Sequence, residues 1–446
     1  MRGARRHDGA VGGTGRPVQA ARTIEPLATP PDATVRVPGS KSVTNRALAV
    51  AALARGTSRL EGVLLADDTW AMIAAVRALG IGVDVSGETA TVTGADGHIP
   101  ATSGRLDVRL SGTTARFIAP VVALGHGRFD LDGAPPFRAR PMGPLLEALT
   151  SLGVRVEPLG APGHLPVRLT VDGWTSTRVA VRGDVSSQFL SGLLLAAPAA
   201  PGPVTIEVTT PLVSRPYVDL TLATMRAFGA RVDEPGDGRF EVAAGGYVGR
   251  RYAIEPDASA ATYPLAAAAI TGGRVRVAGL TADSRQGDAG FASVLAAMGA
   301  EVTVDDEGTE VRGTGRLRGI EVDLGAMSDT AQTLAAVAVF AEGPTRVTGI
   351  GFIRAKETDR IAAVVTELRR CGIDAAEEPD GFVIRPGQPR PATIRTYDDH
   401  RMAMSFALLG LRAPGITIAD PGCVTKTFPG YFDLLEALRS PRRGDG

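Results

Sequence analysis

The sequence predicts an α/β fold of six tandem units divided between two domains. Two recurring phrases, and an imbalance between them, predict it. In the first phrase a helix-like apolar stretch ends in a hydrophobic residue plus glycine, and a short strand follows: Leu79-Gly80-Ile81, Leu152-Gly153-Val154, Phe228-Gly229-Ala230, Met298-Gly299-Ala300 and Cys371-Gly372-Ile373. In the second, an Ala/Leu-rich helix, a glycine turn and a strand recur around Gly56, Gly127, Gly202, Gly272, Gly343 and Gly415. Both return at roughly 70–76 residues, the mark of a repeat architecture. The glycine after each helix is expected in the left-handed conformation that caps helix C-termini.

Each unit reads helix, strand, helix, strand, strand. The second phrase has six copies and the first only five. The last helix, near Phe432 to Leu438, reaches the C-terminus without its strand, while Thr23 to Val37 carries strand-like residues with no helix before them. The N-terminal segment is therefore expected to complete the sixth unit. That predicts a disordered tail (1–21), a discontinuous domain of three units (22–38 plus 252–446) and an inserted domain of three (39–251). A double-crossover hinge is expected near Pro38-Gly39 and Arg250-Arg251. The halves are expected to meet only there and to close on the first ligand.

Bulk composition narrows the partners. The 446 residues exceed one ordinary core, and 44% hydrophobic with 22% charged residues is globular. A formal net charge of zero gives no reason to expect nucleic acid or an anionic membrane. No apolar run approaches the roughly 18 residues of a membrane helix. Cys371 and Cys423 are too far apart for a metal spacing or a disulfide framework. The tail lacks an apolar signal core. A cytoplasmic monomer is expected.

Of the 48 basic residues only Lys41, Lys356 and Lys426 are lysines; the other 45 are arginines. A compact ammonium can hold or release a proton where a guanidinium cannot. Each lysine lies in a polar cluster. Pro38-Gly39-Ser40-Lys41-Ser42-Val43-Thr44-Asn45-Arg46 runs into an apolar helix, which puts hydroxyls, Lys41 and free N–H groups where an anion is favoured. Arg354-Ala355-Lys356-Glu357-Thr358-Asp359-Arg360 places a carboxylate among cations at another helix start, a setting for proton transfer or for a plain salt-bridged face. Thr425-Lys426-Thr427-Phe428-Pro429 holds the third.

Other clusters sit at the same kind of place. Leu110-Ser111-Gly112-Thr113-Thr114 opens a helix, with Gly112 allowing close backbone approach. Phe137-Arg138-Ala139-Arg140-Pro141 offers an arginine clamp. Ser186-Ser187-Gln188 and Ser214-Arg215-Pro216-Tyr217 begin two more helices, and Asp329 and Asp399-His400-Arg401 another two. Each also serves as ordinary helix capping. Together they make a site for strongly anionic ligands at helix N-termini of both halves. No Walker sequence, Rossmann fingerprint or metal-ligand cluster is present, so neither cofactor nor metal is expected.

These motifs, in order and spacing over about residues 22–437, closely resemble the 5-enolpyruvylshikimate-3-phosphate synthase family of enolpyruvyl transferases. The resemblance implies two inside-out α/β domains of three βαβαββ-like repeats each. It implies transfer of the enolpyruvyl group of phosphoenolpyruvate to the 5-hydroxyl of shikimate 3-phosphate, through a tetrahedral intermediate, with release of phosphate. By the motif match, Lys41, Ser42, Arg46, Ser186, Ser187, Gln188, Ser214, Tyr217, Asp329 and Lys356 would hold shikimate 3-phosphate. Lys41, Gly112, Arg138, Gln188, Arg360, Arg401 and Lys426 would hold phosphoenolpyruvate. Asp329 would be the base for the 5-hydroxyl. Lys41 and Glu357 would be candidates for moving the methylene proton, and His400 would join the catalytic group. Three positions depart from the family pattern: Leu110, Pro136 and Phe352. Pro136 falls where many members have arginine, and Arg138 is expected to substitute. The alternatives are a paralogous transferase with another polyol-phosphate or UDP-sugar acceptor, and a catalytically silent phosphometabolite-binding scaffold.

Overall fold

The computed structural model describes residues 20–236 and 238–439. The tail expectation for residues 1–21 lies outside them, apart from the last two residues.

Six helices run through the interior: Lys41–Leu53, Gly112–Val122, Ser187–Ala196, Ala258–Thr271, Ala331–Ala338 and His400–Gly410. They are apolar on every side, rich in Ala, Leu and Val, and nearly every residue is buried. Such helices cannot face water and must be wrapped. The first three pack on one another, as do the last three. A second set covers them and keeps one polar face outward: Asp67–Ala78, Gly143–Ser151, Arg215–Ala227, Phe291–Met298, Arg360–Arg370 and Tyr431–Ala437. Sheets complete the outer layer. This is the inside-out α/β arrangement, with helices at the centre. Two hydrophobic cores result: one from residues between Val43 and Ile254, the other from Ile24, Val37 and residues between Ala258 and Leu438.

The units repeat one strand order. In Ser103–Asp107, His126–Asp132, Val167–Asp172 and Arg155–Pro158 the first pair is parallel and the rest antiparallel. Four other four-stranded sheets share this pattern. The sixth unit has three strands, Ala392–Ile394, Ile416–Ile418 and Arg22–Ile24, so the chain's first strand does complete it. Asp32–Val35 instead joins the fourth unit, parallel to Arg274–Ala278. Arg251–Ala253 goes the other way and pairs with Thr57–Glu61 of the first unit. The edge strands that precede the first and fourth inner helices are thus exchanged between the halves. The two crossing strands touch: Gly39 bridges Pro256, Ser40 N–H donates to Glu255 O at 2.8 Å, and Asp257 N–H donates to Pro38 O at 2.9 Å. The second crossing therefore comes after Arg251–Ala253, a few residues beyond the expected Arg250-Arg251.

The glycines of the first phrase are all left-handed, with φ between 78° and 110° at Gly80, Gly153, Gly229, Gly299 and Gly372. In the second phrase Gly56, Gly127, Gly272, Gly343 and Gly415 are left-handed and Gly202 is not.

Inner-helix packing is tight enough to test. Where Ser187–Ala196 crosses Gly112–Val122, a Cβ on Gly192 would lie 2.1 Å from the Arg116 carbonyl oxygen. The obstacle is backbone and cannot swing aside. Gly192→Ala is expected to destabilise the fold by about 1–3 kcal/mol, as overpacking does. A denaturant melt with an unchanged midpoint would contradict this packing.

Candidate active site

The inner helices begin with polar caps that face one another. Ser40, Ser111 and Ser186 accept from the N–H groups of Val43, Thr114 and Gln188 at 3.4, 3.2 and 3.3 Å. Asp257 accepts from Ala260 N–H at 2.8 Å and Asp399 from Arg401 N–H at 2.9 Å. The capping reading holds at these starts but not at Ser214 or Asp329, neither of whose side chains caps a helix, and the same termini also touch across the halves. Asp257 Oδ2 accepts from Lys41 N–H at 2.9 Å.

Arg360 is the hub. It is 2% exposed and donates to three carboxylates: Nε to Asp399 at 2.8 Å, Nη1 to Asp329 at 2.9 Å and Nη2 to Glu357 at 2.8 Å. Arg401 donates from Nη2 to the other oxygen of Asp329 at 2.6 Å. Lys426 Nζ, 3% exposed, donates to the other oxygen of Glu357 at 2.8 Å, and Arg140 approaches that oxygen at 3.3 Å. Burial alone would raise both carboxyls. Arg401 and Arg360 outweigh it at Asp329, and Lys426, Arg140 and Arg360 outweigh it at Glu357, so both are held well below the usual carboxylate range.

A second group lies around Gly112. Arg116 donates to Gln188 Oε1 at 2.7 Å. A Cβ on Gly112 would lie 3.1 Å from guanidinium nitrogens of both Arg116 and Arg140. Two buried cations thus lie side by side over a helix N-terminus, close against the glycine. Burial, and then Arg140, push the Arg116 guanidinium well below its ordinary pKa, so the pair favours an incoming anion. Lys41 Nζ lies 3.6 Å from Asp68, whose carboxyl burial raises despite Lys426 and Lys41.

The wall from the first core carries Arg46, Tyr217 and Ser214. Arg46 donates to Thr221 Oγ1 at 2.8 Å and to the carbonyls of Ser42 and Tyr217 at 2.9 and 2.8 Å. It has no carboxylate among these partners, and burial lowers it to about 10. Ser214 is left-handed, with φ 52°, and its buried hydroxyl has no hydrogen-bond partner. Ser187 starts its helix one residue after the Ser186 cap, and Lys356 Nζ lies 5.8 Å over the Phe352 ring. Lys41, Ser42, Asp257, Ser259, Tyr263 and Arg401 line one small cleft. Leu110, Pro136, Arg140, Glu357, Asp398 and Lys426 line another.

Three expectations change. Arg138 is not in this cluster: both its Nε and Nη2 are engaged by Asp132, at 2.9 and 2.8 Å, and the side chain is 43% exposed. Arg140, two residues on, points inward in its place. His400 is buried, and neither ring nitrogen has a hydrogen-bond partner. Burial and the cations Arg401, Lys426 and Lys41 keep it neutral, so it brings no charge. The halves also meet beyond the hinge, at Arg140–Glu357, at Tyr217 OH–Asp288 (3.3 Å), and at Thr425 Oγ1–Asp67 Oδ2 (2.9 Å). Of the other expected residues, Lys41, Ser42, Asp329, Glu357, Arg360, Arg401 and Lys426 share these contacts or the small clefts, Gly112 and Gln188 adjoin Arg116, and Ser186, Ser187 and Ser214 are placed only by their helix starts. Asp68, Arg116, Asp257 and Asp288 were not singled out as ligands by sequence reasoning, whereas Arg140 was one arm of the expected clamp. Arg116 had a signal, since it lies two residues beyond the noted Leu110 to Thr114 helix start. Among the described residues no group of three His, Cys, Asp or Glu side chains is placed to hold a metal, and no helix is long and apolar enough to cross a membrane.

Residues 28–435 match the family EPSP synthase (3-phosphoshikimate 1-carboxyvinyltransferase). A 3-phosphoshikimate 1-carboxyvinyltransferase of Nostoc punctiforme is 48% identical over 412 residues, covering 92% of this chain and 97% of the relative. One of Cupriavidus necator is 44% identical over 430 residues, covering 93% and 99%. The solved structure of EPSP synthase from Acinetobacter baumannii superposes with a TM-score of 0.78 at 28% identity, covering 93% of this chain and 97% of that one.

Burial pushes Lys356 down to about 8, although Asp329 opposes the shift. A lysine whose folded pKa lies below its unfolded value, near 10.4, binds its proton less tightly when folded. It therefore costs stability below about 8, and the cost fades as pH rises from there to the unfolded value. Lys356→Met is expected to raise the thermal midpoint at pH 7, with the gain shrinking above pH 8. Melting curves that coincide with wild type at pH 7 would refute this.

Proposed function

Because the chain belongs to the EPSP synthase family, the 3-phosphoshikimate 1-carboxyvinyltransferases, we propose that the cleft between its inner-helix N-termini holds both substrates of that reaction. The protein transfers the enolpyruvyl group of phosphoenolpyruvate to the 5-hydroxyl of shikimate 3-phosphate and releases phosphate. What supports this siting most is the Asp329–Arg360–Glu357 group, with Lys41, Lys356 and Lys426, all three lysines of the chain, placed around it.

Shikimate 3-phosphate lies against Lys41, Ser42, Arg46, Ser186, Ser187, Gln188, Ser214, Tyr217, Asp329 and Lys356. Phosphoenolpyruvate lies against Lys41, the Gly112 backbone, Gln188, Arg360, Arg401 and Lys426, with Arg116 and Arg140 taking the part expected of Arg138. Fixed cations and helix N-termini stabilise the charge of both substrates without reorganising. Asp329 is ionised and accepts the 5-hydroxyl proton as that oxygen bonds to C2 of phosphoenolpyruvate. The methylene carbon takes a proton from Lys41 or Glu357. Loss of that added proton and of phosphate from the tetrahedral intermediate restores the double bond. Glu357 is held ionised by its three cations. An anionic substrate that draws on Lys426, Arg140 and Arg360 weakens their hold and raises its pKa toward a proton-carrying state.

The two cores, 39–251 and 22–38 plus 252–446, act as two bodies about the crossover, with Arg251–Ala253 moving with the first. The chain works in the cytoplasm as a monomer, without nucleic acid or membrane. Its zero net charge supports the absence of nucleic acid and anionic membrane partners, and among the described residues the large exposed hydrophobics, Leu159, Val248, Val304 and Tyr397, are scattered, as suits a monomer.

Phosphate release from phosphoenolpyruvate tests the assignment. Release is expected with shikimate 3-phosphate and not with shikimate or a UDP-sugar. Lys41→Met and Asp329→Asn are each expected to lower kcat about 100-fold or more. Arg140→Ala is expected to raise KM for phosphoenolpyruvate about tenfold or more, and Arg138→Ala to leave it within about twofold. The reverse order for the two arginines would restore Arg138 to the site.

A further inference from the structure

The loop ahead of helix Phe291–Met298 carries three consecutive residues that each meet the other half. Gln286 Oε1 accepts from Ser40 Oγ at 2.7 Å, and its Nε2 donates to the Pro256 carbonyl at 2.7 Å. A Cβ on Gly287 would lie 2.7 Å from Pro216 Cβ and 2.8 Å from the Ala326 carbonyl oxygen. Only a glycine lets Pro216, the neighbour of Tyr217, come so close. Asp288 is 4% exposed. Its two oxygens lie 3.4 and 3.3 Å from the Tyr217 hydroxyl, and Oδ2 also accepts from the Ser259 hydroxyl. Ser259 Oγ accepts from Arg401 Nη2 at 3.4 Å, and that same nitrogen holds Asp329 at 2.6 Å.

An unbroken polar chain therefore runs from Tyr217 through Asp288, Ser259 and Arg401 to Asp329. We propose that Asp288 is a positioning residue for the transfer reaction. It aims the Tyr217 hydroxyl from one half and, through Ser259, the Arg401–Asp329 pair on the other, so the acceptor contact and the base are set together. This rests on the assignment of Tyr217 and Asp329 to the shikimate 3-phosphate site. The charged and titratable groups that face Asp288 are Arg401, Asp329, Asp257 and Tyr217. Burial, then Asp329, raise its carboxyl to about 6, with Arg401 opposing. At neutral pH it is therefore still chiefly the ionised acceptor that both hydroxyls need. Gly287 is the second part of the device, because it sets how closely Tyr217 can approach.

A double-mutant cycle tests the proposal. Asp288→Ala and Tyr217→Phe are each expected to lower kcat/KM for shikimate 3-phosphate by about 10- to 100-fold, the size of a hydrogen bond to a charged acceptor. In the Tyr217→Phe background, the further loss from Asp288→Ala is expected to fall clearly below its loss alone, since the two act through one contact. Asp288→Asn, which keeps one acceptor, is expected to recover part of the loss. Where the alanine variant melts early, the asparagine variant carries the cycle. Losses that multiply in full, or an Asp288→Ala enzyme within about twofold of wild type, overturn the proposal. The site reading is judged separately. An Asp329→Asn enzyme that turns over normally sinks that reading, whereas an inactive Asp329→Asn beside a normal Asp288→Ala sinks the Asp288 proposal alone.

Discussion

One buried guanidinium, that of Arg360, sets the geometry of the site. It ties together Asp329 from the turn before one inner helix, Glu357 from the loop before its own helix, and Asp399 from the cap of a third. Removing one partner of such a buried group strands the others in a low dielectric, at a cost of about 3–5 kcal/mol. The carboxylates are therefore fixed in place as well as ionised. Asp329 is fixed twice, since Arg401 holds its second oxygen. A base held this firmly ionised is intrinsically weak. In its proposed role as base, it would remove a proton only as the oxygen it serves forms its new bond, which would confine its action to the transition state.

The architecture explains why so many cations gather there. Helices apolar on all sides have no exposed face, and their ends are where polar side chains can reach water. Six of them begin near one cleft. Each start offers free N–H groups and a positive dipole end, and all but Ala331–Ala338 have a short polar side-chain cap. The sequence then adds arginine for rigid bidentate grip and lysine at three points only. Two of the lysines differ in kind. Lys426 is paired with Glu357. Lys356 is pushed toward neutrality by burial.

Much of this was legible in the chain. A glycine that must be left-handed leaves a mark wherever a helix ends, so five Gly80-type turns revealed the period before any strand partner was known. Lysine scarcity pointed to the cluster. What the sequence could not disclose was non-local. Asp32–Val35 and Arg251–Ala253 exchange sheets, yet strands of four and three residues carry no record of which neighbour they will join. Arg138 and Arg140 look alike in sequence. Asp132, at the end of a strand packed beside them, engages Arg138 and leaves Arg140 for the cleft. Asp288 stood in a loop with no helical pattern, and only the approach of Tyr217 from the other half gives it a role.

The residual unpaired groups argue that the site is built for occupants more than for stability. Nε of Arg116, Arg140 and Arg401 and the Ser214 hydroxyl are buried without hydrogen-bond partners. Each such group costs on the order of 1–3 kcal/mol. A fold optimised for stability would pair or remove them. Three of them belong to cations grouped around Gly112, Asp329 and Glu357. Under the proposed siting, two phosphorylated ligands would supply the acceptors these groups lack. Binding energy gained there can then be spent on bringing the halves into register through Tyr217 and Asp288, and on loosening the cations' hold on Glu357. The same charges that weaken the fold are thus the ones that, in the proposed mechanism, would make closure and proton transfer depend on both substrates being present.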